Sequence, residues 1–298
     1  MPNWLGLVCL TSDKSISFRT VQKTRFDKLG ILAQYSVLYD IYSHNKKVLK
    51  RALEYCVQSG IKMYRISSEM FPFSDTAVGR QVFKESTIAL DNIGKYAIQN
   101  GIRITCHPAQ FVTLVSESTS SIRNSVDSLL AHATVLDYMG LPENYWCPII
   151  IHGGKKDNST RLVDSIHRLP SNIANRLVLE NDEYSYSVDS LFALQQFVKI
   201  PIVFDVHHHL IMNKLGDYDD VSHLLALETC RSTWPDPNAQ VVHLSNGREG
   251  LHDRSHSDFI TKMPSCFLSD RGLWIEVEAK AKERVIFSLR EVYPGVLS

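Results

Sequence analysis

Six short apolar runs in this chain lead straight into a residue type that binds metal ions. The runs Ile102 to Cys106, Pro148 to Ile151, Leu177 to Leu179, Ile202 to Phe204, Val241 to Val242 and Leu273 to Val277 are followed by His107, His152, Glu180, Asp205, His243 and Glu278. Helical stretches separate them, so each run reads as a β-strand in a strand–helix repeat. Such alternation builds a parallel sheet, and in a closed parallel barrel every strand points the same way. Groups placed just past the strand ends then meet at one mouth. With His208 and His256 in the loops beyond, five imidazoles and three carboxylates are expected there.

The rest of the chain fits the same repeat. Trp4 to Cys9 and Met63 to Ile66 supply two earlier strands, which makes eight. Helices are predicted at Lys46 to Gln58, with Asn45 as its cap and Gly60 beyond its end, and at Val82 to Gln99, stopped by Asn100-Gly101. Further helices are predicted at Ser121 to Met139, Thr160 to Arg168, Val188 to Val198, Val221 to Arg231, Asp258 to Lys262 and Lys282 to Arg290. The expectation is a single-domain (β/α)8 TIM barrel over residues 1–298, a fold that takes about 250 residues. Leu10 to His44 reads as an irregular loop, far longer than the roughly 2 to 6 residues a βα connection needs, and loops of that size carry function.

Composition narrows the function. No run approaches the ~18 apolar residues of a membrane helix, and the N-terminus lacks the pattern of a signal peptide, so a soluble, intracellular protein is expected. The six cysteines, Cys9, Cys56, Cys106, Cys147, Cys230 and Cys266, show no CxxC pairing and read as buried free thiols. Lys plus Arg balances Asp plus Glu at 32 each, so an anionic ligand must be held by local cations rather than by bulk charge. Such cations exist on the ligand side: Lys14, Arg19, Lys23, Arg25 and Lys28 in the first long loop, Lys155 and Lys156 after the fourth strand, Arg248 and Arg254 after the seventh.

Taken singly, a histidine at a strand end is more often a hydrogen-bonded structural residue than a ligand. The carboxylates are harder to explain away, because an ionised carboxylate after an apolar strand needs a cation or donors against desolvation. Pro108 restricts the backbone beside His107, and Gly153-Gly154 after His152 permit close approach of a ligand. In His207-His208-His209 the pattern leaves open which ring turns inward, and His252 is equally open. Glu276 has the parity of Glu278 and should point into the barrel one layer deeper. His44, His132, His167 and His223 read as surface or packing residues. Imidazole and carboxylate without thiolate suit Zn, Mn or Fe. Eight ligands are too many for one ion, and two or three clustered ions are the standard machinery for phosphodiester cleavage.

In order, Tyr-Arg-Ile-Ser-Ser at 64–68, His-Pro-Ala-Gln-Phe at 107–111, His-Gly-Gly at 152–154, Leu-Glu-Asn-Asp at 179–182, Asp-Val-His-His-His at 205–209, Val-His-Leu-Ser at 242–245 and Glu-Ala-Lys at 278–280 resemble the motifs of the UV-damage endonucleases. That family is related to endonuclease IV-type abasic-site nucleases. The resemblance spans nearly the whole chain and implies one ion on His107, His152 and Glu180, a second on Glu180, Asp205, His243 and Glu278, and a third on His208 and His256. It implies manganese, with zinc as the other candidate. It further implies incision immediately 5′ of pyrimidine dimers and 6-4 photoproducts in double-stranded DNA, leaving a 3′-hydroxyl, with abasic sites as a further substrate. The attacking group would be a metal-bound hydroxide held by Glu180, Asp205 and Glu278. Gln110 and Phe111 match the pair inserted into the duplex, and Arg65, Ser67, Lys155, Lys156, Arg248 and Arg254 are the DNA contacts expected with it. A monomer without an obligate protein partner is expected.

Three positions depart from the family pattern: Phe111 where a Tyr is common, Leu7 where a second probing Tyr can stand, and Val241 where some members carry a modified lysine. The competing readings are a broad abasic-site nuclease, a metal-dependent sugar isomerase or epimerase, and a metal-stabilised binding protein.

Overall fold

A computed structural model describes residues 2–155 and 158–298. Among the described residues, eight parallel strands close into a barrel in sequence order: β1 (Trp4–Val8), β2 (Met63–Ile66), β3 (Arg103–Cys106), β4 (Ile149–His152), β5 (Leu177–Glu180), β6 (Ile202–Asp205), β7 (Val241–Leu244) and β8 (Trp274–Val277). The helices around it are α1 (Lys23–Phe26), α2 (Ile31–Gln58), α3 (Ala77–Lys84), α4 (Thr87–Gln99), α5 (Thr119–Tyr138), α6 (Ser159–His167), α7 (Ser171–Ala174), α8 (Val188–Ala193), α9 (Val206–Met212), α10 (Val221–Arg231), α11 (Ser265–Ser269) and α12 (Glu283–Val292). The strands are Val, Ile and Leu-rich and almost wholly buried, as strands covered on both faces must be.

Register places the candidate ligands side by side. His152 on β4 stands opposite Glu180 on β5, and Asp205 on β6 opposite His243 on β7. His243 is level with Glu276 on β8, which puts Glu278 one layer higher, at the mouth. The opposite end of the barrel is closed by an aromatic cage. The Arg103 guanidinium lies 4.6 Å from the ring centre of Trp146 and 5.2 Å from that of Trp274, and donates to the carbonyls of Trp146, Tyr145 and Ala239. Trp4 stacks on Trp274 beside it.

Several sequence expectations are corrected. The stretch from Leu10 to His44 is not irregular throughout, because α2 begins at Ile31 and runs 28 residues. Asn45 is therefore not a helix cap but a fully buried residue in mid-helix. Its amide donates to the carbonyls of Arg19 and Met70 at 2.9 and 2.7 Å, and its oxygen accepts the Arg19 N–H at 2.8 Å. The capping signal was real chemistry used elsewhere: a short amide that satisfies loop backbone. The expected helix at 82–99 is two helices broken at Glu85-Ser86, and residues 258–262 are not helical. Gly153 and Gly154 serve the protein itself. A Cβ on Gly153 would meet the Tyr186 ring at 2.6 Å, and Gly154, with φ +93°, sits against Thr113 and Val115. The six cysteines are free thiols, and no helix of the described residues is long and apolar enough to cross a membrane.

Asn45→Ala should strand the Arg19 N–H and two carbonyls in a buried seam. The expected loss is about 2 kcal/mol of unfolding free energy, since a buried unsatisfied polar group costs roughly 1–3 kcal/mol. Urea titration followed by circular dichroism measures it, and an unchanged midpoint would mean that the loop is held by other contacts.

Candidate metal centre

Glu180 closes β5 at 1% exposure and is the hub of the mouth. Its Oε2 lies 2.7 Å from His107 Nε2 and 3.8 Å from His152 Nε2, and its Oε1 lies 2.9 Å from His243 Nδ1 and 3.6 Å from His208 Nδ1. Three sets of side chains could each hold a cation: His107, Glu180 and His243; His152, Glu180 and His208; Asp205, His243 and Glu278. They share members, so the sets form one cluster. A cleft of about 530 Å³ opens onto it, lined by His107, Gln110, His152, Glu180, His208 and Glu278 among others.

The ambiguous histidine run is resolved by a helix start. Asp205 caps α9, its Oδ1 accepting the His208 N–H at 2.7 Å. The helical turn sends the three rings apart: His208 toward Glu180, His207 back to the Asp253 carbonyl and the Tyr218 hydroxyl, and His209 to Ser222. His256 lies at the edge of the cluster, its Nδ1 3.7 Å from Glu278 Oε2. His252 bonds the Leu215 carbonyl and stays outside. Of the four histidines read as packing or surface, His223 is fully buried and bonds the Tyr218 carbonyl.

The donor set fits bound metal on two observations. Asp205 is fully buried, with one oxygen spent on the α9 cap and Oδ2 without any hydrogen-bond partner. An orphaned carboxylate oxygen in a dry site asks for a cation. In addition, His107 directs Nδ1 to the Pro108 carbonyl at 3.0 Å, His208 directs Nδ1 to the Asn181 carbonyl at 3.0 Å, and His243 sets Nε2 3.0 Å from Glu276 Oε2. Metal-binding imidazoles are characteristically steadied through the other ring nitrogen in this way.

Electrostatics points in the same direction. Burial alone would raise the Glu180 carboxyl, but His243, His152 and His107 outweigh it and hold it well below the ordinary range. Burial works against a charged His208, yet Asp205, Glu180 and Glu183 raise it to about 9. The mouth is a well of negative potential that recruits positive charge.

Arg65 answers the question of what pairs with Glu276. The guanidinium sits between two carboxylates, 2.8 Å from Glu276 and in direct ionic contact with Glu278, while Thr105 donates to the other Glu276 oxygen. Burial favours neutral Glu276, but Arg65 and His243 hold it down at about 2. Arg65 also lines the cleft. Ser67 takes a turn N–H from Glu69, and it is Ser68 that lines the cleft. Gln110 is exposed on the cleft wall, and Phe111 is 82% exposed. Lys155 and Arg248 are exposed, and Arg254 pairs with Glu183 and lies 4.2 Å over the Tyr184 ring. Lys156 lies outside the described residues.

Sequence reasoning missed two positioning residues. Asn181 bonds the backbone of Asp205 in both directions, at 2.9 and 2.8 Å, and so locks the end of β5 to that of β6. Glu183 reaches His208 Nε2 at 3.6 Å while gripping Arg254, which ties two loops across the mouth. Both belong to the run that starts at Glu180, and the density of polar residues there was their only signal.

The family model described as UV-endonuclease UvdE matches residues 3–296. The chain is 42% identical to the UV DNA damage endonuclease of Nostoc sp. over 96% of its own length and 89% of that protein's. It is 40% identical to the UV DNA damage endonuclease of Deinococcus radiodurans, covering 97% of this chain and 95% of that one. The crystal structure of SacUVDE superposes with a TM-score of 0.81 at 28% identity, over 97% of this chain and 99% of that one.

Arg65→Met should leave Glu276 and Glu278 without their shared cation. Removing one partner of a buried ion pair costs about 3–5 kcal/mol. Chemical denaturation in the presence of a chelator should show a loss of that order. Stability within 1 kcal/mol of wild type, on the same reasoning about buried pairs, would mean that the carboxylates relax to water.

Proposed function

The chain belongs to the UvdE family of UV endonucleases, acting on UV-damaged DNA, and from that membership we propose that it incises double-stranded DNA immediately 5′ of the photoproduct in a divalent-metal-dependent reaction. The observation that carries the metal part is Glu180, a fully buried carboxylate with imidazoles on both oxygens, beside the orphaned Oδ2 of Asp205. His107, His152 and Glu180 would hold one cation, Glu180, Asp205, His243 and Glu278 a second, and His208 with His256 a third. Bound there, divalent cations, manganese in the first place, supply an activated water and charge stabilisation for the attacked phosphorus and the departing 3′ oxygen.

The chain's own residues perform the rest. Glu180, Asp205 and Glu278 bring negative charge to one point and fix where cations and the scissile phosphodiester sit. Glu276 and Asn181 hold His243 and Asp205 in place through 3.0 and 2.8 Å contacts. Gln110 and Phe111 stand on the loop after β3, beside the cleft, as the pair that enters the duplex. An exposed aromatic ring has a solvation cost that stacking on a base removes. Lys155, Arg248 and Arg254 contact the backbone around it. The enzyme works inside the cell, as a monomer without an obligate protein partner. A sugar isomerase is disfavoured because the cleft is open and bordered by an exposed ring.

The test is nicking of a UV-irradiated plasmid. Chelation should abolish it and added manganese restore it, while Glu180→Gln should lower the rate at least 100-fold, a loss of about 3 kcal/mol in the barrier. Full nicking by chelated protein would overturn the metal-dependent mechanism.

Phe111→Ala addresses the wedge. Base stacking on an aromatic contributes about 1–3 kcal/mol, so binding to photoproduct duplex should weaken roughly tenfold or more with thermal stability unchanged. A destabilised protein that binds normally would make Phe111 a packing residue.

A further inference from the structure

Beside the metal cleft lies a second opening of about 330 Å³, between the loop after β7 and the loop after β8. Arg65, Arg254, His256, Glu278, Lys280 and Lys282 line it, and four of these are shared with the metal cleft. Its cations are not equivalent. Arg65 is committed to Glu276 and Glu278, and Arg254 to Glu183. Lys280 is exposed and Lys282 half-buried, and among the described residues neither is paired with a carboxylate. Two positive charges therefore face this opening with their countercharge missing.

The backbone holds them there. Lys280 N–H donates to the Ser257 carbonyl at 3.1 Å, and Ala281 N–H to the Asp258 carbonyl at 3.0 Å, so the turn after β8 is stitched to the loop that carries His256. Lys282 has φ 52°, a left-handed conformation where glycine would be at ease. A lysine in such a conformation costs of order 1–3 kcal/mol and persists where its surroundings enforce it. Lys282 lines the second opening, which adjoins the metal cleft through the Arg65, Arg254, His256 and Glu278 side chains that line both.

We propose that Lys280 and Lys282 form a phosphate subsite for a DNA backbone phosphodiester flanking the one that is cut. The ligand is a monoanionic phosphodiester, and the subsite fixes the register of the strand across the metal cluster without reading sequence. The loops after the seventh and eighth strands of such barrels are a recurrent place for phosphate binding. The inference rests on the DNA endonuclease reading, because a neutral sugar would leave both lysines uncompensated.

The experiment compares wild-type protein, Lys280→Gln/Lys282→Gln and Lys280→Arg/Lys282→Arg, each checked for thermal unfolding and metal content. Binding to one duplex is measured across a salt series. The glutamine variant should lose about one unit of slope in log affinity against log salt, as for one phosphate contact, and the arginine variant should keep it. A duplex carrying a single neutral methylphosphonate at each phosphate near the incision point then locates the contact. At one position the substitution should weaken wild-type binding about tenfold and the glutamine variant less than about twofold. Equal slopes for all three proteins, or methylphosphonate effects that are identical in wild type and glutamine variant at every position, overturn the subsite. Absence of nicking of irradiated duplex by wild-type protein overturns the activity reading instead, and the slopes still judge the subsite on undamaged duplex.

Discussion

A carboxylate buried to 1% exposure in the centre of a barrel mouth must be neutralised, and the groups paired with Glu180 among the described residues are imidazoles. Much of the site's geometry follows from that demand. Three strand ends, those of β3, β4 and β7, and one helix start deliver the rings that surround it, and register across β4 to β7 sets their spacing. Arg65 meets the same demand for Glu276 and Glu278, so the mouth divides into a rim compensated by a fixed guanidinium and a centre whose side chains could hold metal ions. The division is physical: a guanidinium neutralises a carboxylate without offering a coordination site, whereas neutral imidazoles and carboxylates offer coordination sites and leave negative charge for a cation to balance.

The sequence was most legible where a short period met a functional residue. Strands of four or five residues with a ligand at the end leave little freedom in register, so the barrel and the convergence of His107, His152, Glu180, Asp205, His243 and Glu278 could be read directly. What could not be read depended on local hydrogen bonding or on distant partners. Asp205 is at once the last residue of β6 and the cap of α9, and only that double role decides that His208 turns inward. Asn45 carried a capping signal, but its amide is spent on Arg19 and Met70, one of them 26 residues away. Arg65 was read as a DNA contact from its motif, and its two carboxylate partners lie more than 200 residues further along the chain.

Substrate grip follows a different logic from the metal centre. With zero formal net charge the protein has no net excess of positive charge to gather DNA, so affinity leans on local charge and contacts around the cleft. Two of the cations there are already partnered, Arg65 with Glu276 and Glu278 and Arg254 with Glu183, so they shape the mouth as well as charge it. The wall of that cleft carries an exposed Gln110, and the next residue, Phe111, presents a bare ring to solvent.

The Arg103 cage at the far end of the barrel gives the centre a floor. With indole rings wedged around a guanidinium whose Nε and Nη2 are tied to three carbonyls, the base of the barrel is plugged, and among the described residues the metal cluster is reached from the mouth, its doorway. Whatever enters the mouth must leave by the mouth. A duplex lying across that doorway would act as a lid, so solutes already inside would exchange with bulk solvent only when the nucleic acid departs, and the lifetime of the complex would set the rate at which the chamber is refreshed.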